Sequence, residues 1–167
     1  MSATTPKLAL PYSIGADALG SVDDTMQALA TDLDNLLGSA YVAYTPTLTN
    51  LTLGNGTRTG AYRKVGRSVK GYAKFTLGST SAVTGNPSIG LPVAAASVLS
   101  YTSLQAQLLD SGTANYDAIV VLSSVNAIGV WYRGGANGTF SGITSTLPFT
   151  WAVNDNIEVH FEYESAA

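Results

Sequence analysis

The sequence predicts an all-β fold, a jelly-roll-like β-sandwich preceded by an extended N-terminal arm and one short helix. Three observations carry this. Beyond Ala40 the chain is rich in Val, Ile, Thr, Tyr and Phe, with Gly and Asn turn signals at roughly 8–12-residue spacing. Ile157–Glu164 alternates strictly: Ile157, Val159, Phe161 and Tyr163 fall on one face, and Glu158, His160, Glu162 and Glu164 on the other. A helical period occurs in one place, residues 21–37. The organisation expected is an arm over residues 1–20, a coiled-coil-like helix over 21–38 and one β domain over 40–167.

In the arm, Pro6, Pro11 and Gly15 punctuate an apolar Leu8-Ala-Leu10-Pro11-Tyr12, which reads as extended chain suited to docking. In the helix, Val22, Met26, Leu29, Leu33 and Leu36 are spaced 4, 3, 4 and 3 residues apart, an a/d seam suited to helix-on-helix packing. Ser21 with Asp24 resembles a capping box, Asp23 and Asp24 suit the positive end of the macrodipole, and Gly38 is the stop. A seam of about two heptads does not hold a helix alone in water. It meets either copies of itself, the favoured reading, or the underside of its own domain.

The β elements follow. Tyr41–Leu53 is strand-like, with an edge or break at Pro46, and Gly54-Asn55-Gly56 turns. Thr57–Val65 and Ser68–Leu77 form a hairpin about Gly66-Arg67, with Lys70, Tyr72 and Lys74 on one face of its second strand. Gly78–Pro92 reads as a long loop containing Asn86-Pro87. Val98–Leu109 reads as a strand, plain or bulged. Ala114–Val125 contains Ala118-Ile-Val-Val-Leu122, apolar on both faces and therefore expected to be a buried central strand. Asn126–Arg133 continues the sheet, Gly134–Gly138 is a loop, Ser145–Trp151 is a short strand around Pro148, and Asn154–Asn156 turns into the last strand.

Composition limits the function. Of 167 residues 11% are charged, less than half the share of about 25% in an average soluble domain. A surface so poor in charge suits an extracellular or particle-bound β protein. A net charge of −3 argues against a nucleic-acid or anionic-membrane surface. Without cysteine there is no disulfide framework and no thiolate metal site. No apolar run approaches the ~18 residues of a membrane span, and the first residues lack the apolar core of a secretory signal. The expectations are no membrane insertion, no nucleic acid and no cofactor.

Catalytic signatures are sparse. His160 is the one histidine and alternates with Glu158, Glu162 and Glu164; a solvated outer face is the first reading, ahead of a metal or acid–base site. Glycoside hydrolysis needs paired carboxylates, and the body of the β domain offers Asp110 and Asp117. There is no nucleophile elbow or Walker loop, and Gly54–Gly56 and Gly134–Gly138 precede no helix, so both are turns. The chain is therefore expected not to be an enzyme. Most basic residues gather in the 57–77 hairpin, where they read as a solvated face or, alternatively, a contact for an acidic partner. Exposed aromatics stack on sugars; Tyr101, Tyr116, Trp131 and Tyr132 are the candidates, with Trp151 beside them.

Two stretches resemble a known family. Leu10-Pro-Tyr-Ser-Ile-Gly-Ala-Asp17, followed by Val22-Asp-Asp-Thr-Met-Gln-Ala-Leu-Ala30, is similar to the opening motif of small structural proteins of tailed bacteriophages, especially those of actinobacteria. Tyr44–Thr57, Tyr62–Arg67, Phe75–Ser81, Leu91-Pro-Val93 and Phe149–Asp155 resemble the β domain of the same proteins, known as minor tail proteins. The resemblance implies a virion component: a homotrimeric tail-associated spike or fibre, anchored to other virion proteins by its arm and contacting host-surface glycan. The chain is shorter than many of these relatives, and a capsid decoration or head fibre is the alternative.

Overall fold

A computed structural model describes the backbone of residues 2–4, 11–13, 19–99, 101–134 and 138–166. Contacts divide the chain into two compact units, Met1–Ala40 and Tyr41–Ala167.

In the first unit, β1 (Ser2–Thr4) pairs antiparallel with β2 (Pro11–Ser13), in the register Ser2 to Ser13 and Thr4 to Pro11. The described parts of the expected arm are thus extended and pair with each other. Helix α1 spans Leu19–Leu37 and packs on β2. It starts two residues before the expected Ser21, so Ser21 lies inside the first turn and is not the cap. The Gly38 N–H bonds the Asp34 carbonyl at 2.7 Å as the helix ends.

The second unit is all-β and antiparallel. Its strands are β3 (Val42–Ala43), β4 (Leu48–Thr52), β5 (Thr57–Val65), β6 (Ser68–Thr76), β7 (Ala82–Gly90), β8 (Tyr101–Asp110), β9 (Ala114–Ser124), β10 (Ala127–Arg133), β11 (Phe140–Gly142) and β12 (Asn156–Glu164). They form one ten-stranded sheet in the order β3-β5-β6-β12-β8-β9-β10-β7-β4, with β11 on the free part of β10. The all-β expectation stands, but the strands follow a single curled path, where a jelly roll has two separately ordered sheets.

The curl is set by residues 44–47, which link β3 at one end of the path to β4 at the other. The Tyr44 N–H bonds the Gly60 carbonyl of β5 at 2.9 Å, and the Thr47 carbonyl accepts from Gly90 of β7 at 2.8 Å. Three residue steps thus separate contacts with opposite ends of the sheet, and at about 3.3–3.6 Å each they cannot span a flat one. The crossing passes over Gly60, where a Cβ would lie 2.8 Å from the Tyr44 ring, and Arg58 Nη1 donates to the Pro46 carbonyl at 3.1 Å.

The concave face is the core: Val69, Ala73 and Phe75 of β6, Ile157, Val159, Phe161 and Tyr163 of β12, Leu108, Val120, Leu122, Ile128, Val130 and Ile89. Burying each large apolar side chain contributes about 1.5–3 kcal/mol. β12 lies at the centre between β6 and β8, which explains why its alternation is the cleanest in the chain.

Three expectations are revised. Residues 82–90 are strand β7, where a loop was expected. Ser145–Trp151 is not a strand: Pro148 lacks an N–H to give to a ladder, and Trp151 Nε1 ties the segment to the Thr144 carbonyl at 3.0 Å. In β9, Ala118, Val120 and Leu122 are buried while Ile119 is half-buried and Val121 exposed, because an antiparallel sheet has one wet face.

Candidate interaction surfaces

The seam residues divide by what the structure describes. Met26 and Leu33 are exposed, at 60% and 42%, and Leu29 is half-buried. The side chains of Val22 and Leu36 lie outside the described residues. Leu37, not a seam residue, adds 66% exposure at the helix end. Within its own unit the described part of the a/d stripe is therefore left largely uncovered. Of the docking arm, Leu8 and Leu10 lie outside the described residues, as do the side chains of Pro11 and Tyr12, whose backbone forms β2.

The glycan candidates separate. Tyr116 stacks on Phe149 at 5.1 Å between ring centroids and, like Tyr132, packs against the core. The Tyr101 side chain lies outside the described residues. Trp131 is 39% exposed on the convex face. Its neighbours are glycines: a Cβ on Gly129 would meet the indole at 3.6 Å and one on Gly142 at 3.7 Å, so no side chain there covers the ring. Trp151 packs on Phe149 at 4.4 Å.

The convex face of β6 and β12 is a charge ladder fixed by register. Lys74 pairs with Glu158 at 3.4 Å, Lys70 with Glu162 at 3.8 Å and Arg67 with Glu164 at 3.9 Å. The basic hairpin thus meets the acidic strand of its own chain, which answers the expectation of an acidic partner. His160 Nε2 lies 3.0 Å from Glu158 Oε1. The hydrogen bond from His160 holds the Glu158 carboxyl below the usual carboxylate range against the opposing effect of burial, with Lys74 adding a smaller pull in the same direction as His160. No three His, Asp or Glu side chains among the described residues are placed to hold a metal.

The same register lays a row of rings and amides across the sheet. Tyr41 and Tyr72 lie 6.0 Å apart and Tyr72 and His160 6.2 Å. His160 faces Gln105, Gln105 faces Ile119, and Ile119 faces Trp131. Beside this row Glu158, Gln107 and Asp117 are cross-strand partners. Arg133 lies over the Phe140 ring at 5.9 Å. Of these, Tyr41, Tyr72, Gln105, Gln107, Arg133 and Phe140 do not stand out in the sequence, because only strand register brings them together.

Around Gly54–Gly56 and Gly78–Ser81 side chains tie two turns together. Asn55 of the Gly54–Gly56 turn accepts from the Thr80 N–H at 2.9 Å, and its own N–H donates to Thr80 Oγ1 at 2.8 Å. Ser81 Oγ donates to the Leu53 carbonyl. The stretches Leu53–Thr57 and Phe75–Ser81, which carry part of the phage resemblance, are thus two interlocked turns.

Searches against protein-family models and curated proteins give no match. Among solved structures the chain is similar to the crystal structure of the Dettilon tailspike protein, with a TM-score of 0.51 and 20% identity. The likeness covers 75% of this chain and 24% of that one, so the chain corresponds to about a quarter of the tailspike's length. It is a likeness of fold.

Proposed function

We propose that the chain is a structural component of a bacteriophage tail: a homotrimeric, non-enzymatic spike or fibre in which residues 1–20 dock to other virion proteins, α1 forms a three-helix neck and the β unit is the head that contacts the host. The observation that carries the reading is the fold shared with part of a tailspike protein. The phage-like motifs at residues 10–17 and 22–30 support it independently. The exposed Met26 and Leu33 on a short amphipathic helix support self-association, since such a stripe gains stability only when covered.

Native mass spectrometry of the whole chain tests the assembly. A trimer is expected, and Leu29→Asp with Leu33→Asp should give monomers whose β-sheet circular dichroism is unchanged. A wild-type monomer that keeps its helix would overturn the trimeric neck. Immunogold labelling of intact virions tests the location, with label on the tail expected and label on the capsid refuting it.

A further inference from the structure

We propose that the convex face of the β unit carries a groove for a neutral oligosaccharide laid across strands β6, β12, β8, β9 and β10. Two depressions form it. The larger, of about 510 Å³, is lined by Gln105, Gln107, Asp117, Ile119, Arg133 and Phe140 together with His160 and Glu158. The smaller, of about 210 Å³, is lined by Tyr41, Tyr72, Lys70 and Glu162, again with Gln105 and His160. They adjoin at those two shared residues, and the larger alone falls within the roughly 300–1,000 Å³ of ligand sites.

The shape fits a chain molecule. From Tyr72 on β6 to Trp131 on β10 is four strand spacings, about 19 Å at ~4.8 Å each. Aromatic rings stand at both ends, Tyr41 and Tyr72 lining one and Phe140, 46% exposed, lining the other, with Trp131 exposed on the neighbouring strand just outside the lining. Amides occupy the middle. Gln105 and Gln107 each offer a donor and an acceptor, which is also what a sugar hydroxyl offers, while ring faces suit the apolar C–H faces of a pyranose.

Charge selects the class of sugar. Glu158 is already matched by Lys74 and His160, and Glu162 by Lys70. That leaves Asp117 and Arg133 of opposite sign at one end. A polyanion would meet Asp117, Glu158 and Glu162, and a polycation would meet Arg133 and Lys70. A neutral polyol meets neither conflict. The inference rests on the groove alone and stands whether or not the chain belongs to a phage tail.

The test is an NMR titration of the full chain with maltohexaose, cellohexaose, mannohexaose and chitohexaose, with polygalacturonate as the anionic control. At least one neutral hexaose should shift the Trp131 indole N–H and the amides of 104–107 and 116–119 saturably. Trp131→Ala with Phe140→Ala should weaken that binding on the order of tenfold or more. Should that variant unfold, Gln105→Ala with Gln107→Ala, both exposed, should show the same loss. Absence of shifts with every neutral hexaose, shifts from polygalacturonate alone, or binding indifferent to both variants would overturn the proposal. So would a Trp131 indole shielded from acrylamide quenching in the free protein, which would place a second copy in the groove.

Discussion

The carboxylate of Asp155, 1% exposed, accepts the backbone N–H of Ser111 through Oδ1 at 2.8 Å, joining points 44 residues apart in the chain. Its Oδ2 accepts the Ala152 N–H at 2.6 Å, and its backbone carbonyl accepts from Leu77 at 2.8 Å. One residue thus ties the β8–β9 turn, the entry to β12 and the end of β6. Asp155→Asn replaces one acceptor oxygen by a donor facing an N–H. A buried donor left without a partner costs about 1–3 kcal/mol. A melting temperature lower by roughly 2–4 °C per kcal/mol is expected in thermal unfolding followed by circular dichroism. Asp155→Ala, which strands both N–H groups, should cost more. An unchanged melting temperature in both variants would refute this account.

Two glycines with similar backbone angles should behave differently. Gly66 has φ +58° and open space, with nothing within 4 Å, where a Cβ would point, whereas at Gly54, φ +56°, a Cβ would lie 2.5 Å from the Thr80 carbonyl oxygen. Gly66→Ala should cost only the left-handed penalty, about 1–2 kcal/mol. Gly54→Ala adds a clash with backbone in the interlocked turns, so its urea midpoint should fall clearly further. Equal midpoints would mean that the two turns do not grip one another.

Acid should act through Glu158. Its folded carboxyl titrates below the ordinary 4.5, so the unfolded chain binds the proton more readily. The stabilisation it supplies is complete above about 4.5 and is lost as pH falls through the lower folded value. Glu158 is half-buried and its partners Lys74 and His160 are more exposed, so solvent screening keeps the effect under about 1 kcal/mol. Glu158→Gln should flatten that part of the curve of stability against pH. A Glu158→Gln curve parallel to wild type over this range would rule the residue out as the source.

How far the chain can be read without its coordinates depends on where the ordering forces sit. The hairpin of β5 and β6 is legible because Gly66 and the alternation of Val69, Ala73 and Phe75 are local signals. β7 is not: Gly85, Asn86 and Pro87 read as a loop, and its strand character comes from distant partners. Asn50 Nδ2 donates to the Asn86 carbonyl at 3.0 Å where the β4 register is interrupted, and Asn86 Oδ1 accepts from the Ile143 N–H at 2.9 Å. The convex groove is half legible. Trp131 and His160 stand out by residue type, but Ile119 and Val121 read as core because a run apolar on both faces gives no sign of which face is wet. Tyr116 and Tyr132 show the reverse, aromatic candidates for the surface that the core absorbs.

Alkali should act through the buried tyrosines. The Tyr163 hydroxyl donates to the Val93 carbonyl at 2.6 Å, and the side chain is 1% exposed. Burial pushes its pKa from 10.0 up to about 12, with a smaller contribution from Tyr62 and partial opposition from the bond to Val93. Burial, with Tyr163 nearby, raises Tyr44 as well. A raised phenol pKa means that the folded chain holds its proton where the unfolded chain has released it. The stabilisation is therefore complete below about pH 10 and declines as pH rises through about 12. Tyr163→Phe removes one of these titrations and should make stability fall less steeply between those pH values. At neutral pH the same change leaves the Val93 carbonyl without its donor and should cost about 1–3 kcal/mol. Denaturant unfolding at pH 7 and at stepped alkaline pH measures both effects, and a Tyr163→Phe curve as steep as wild type would exclude Tyr163 as the group that titrates.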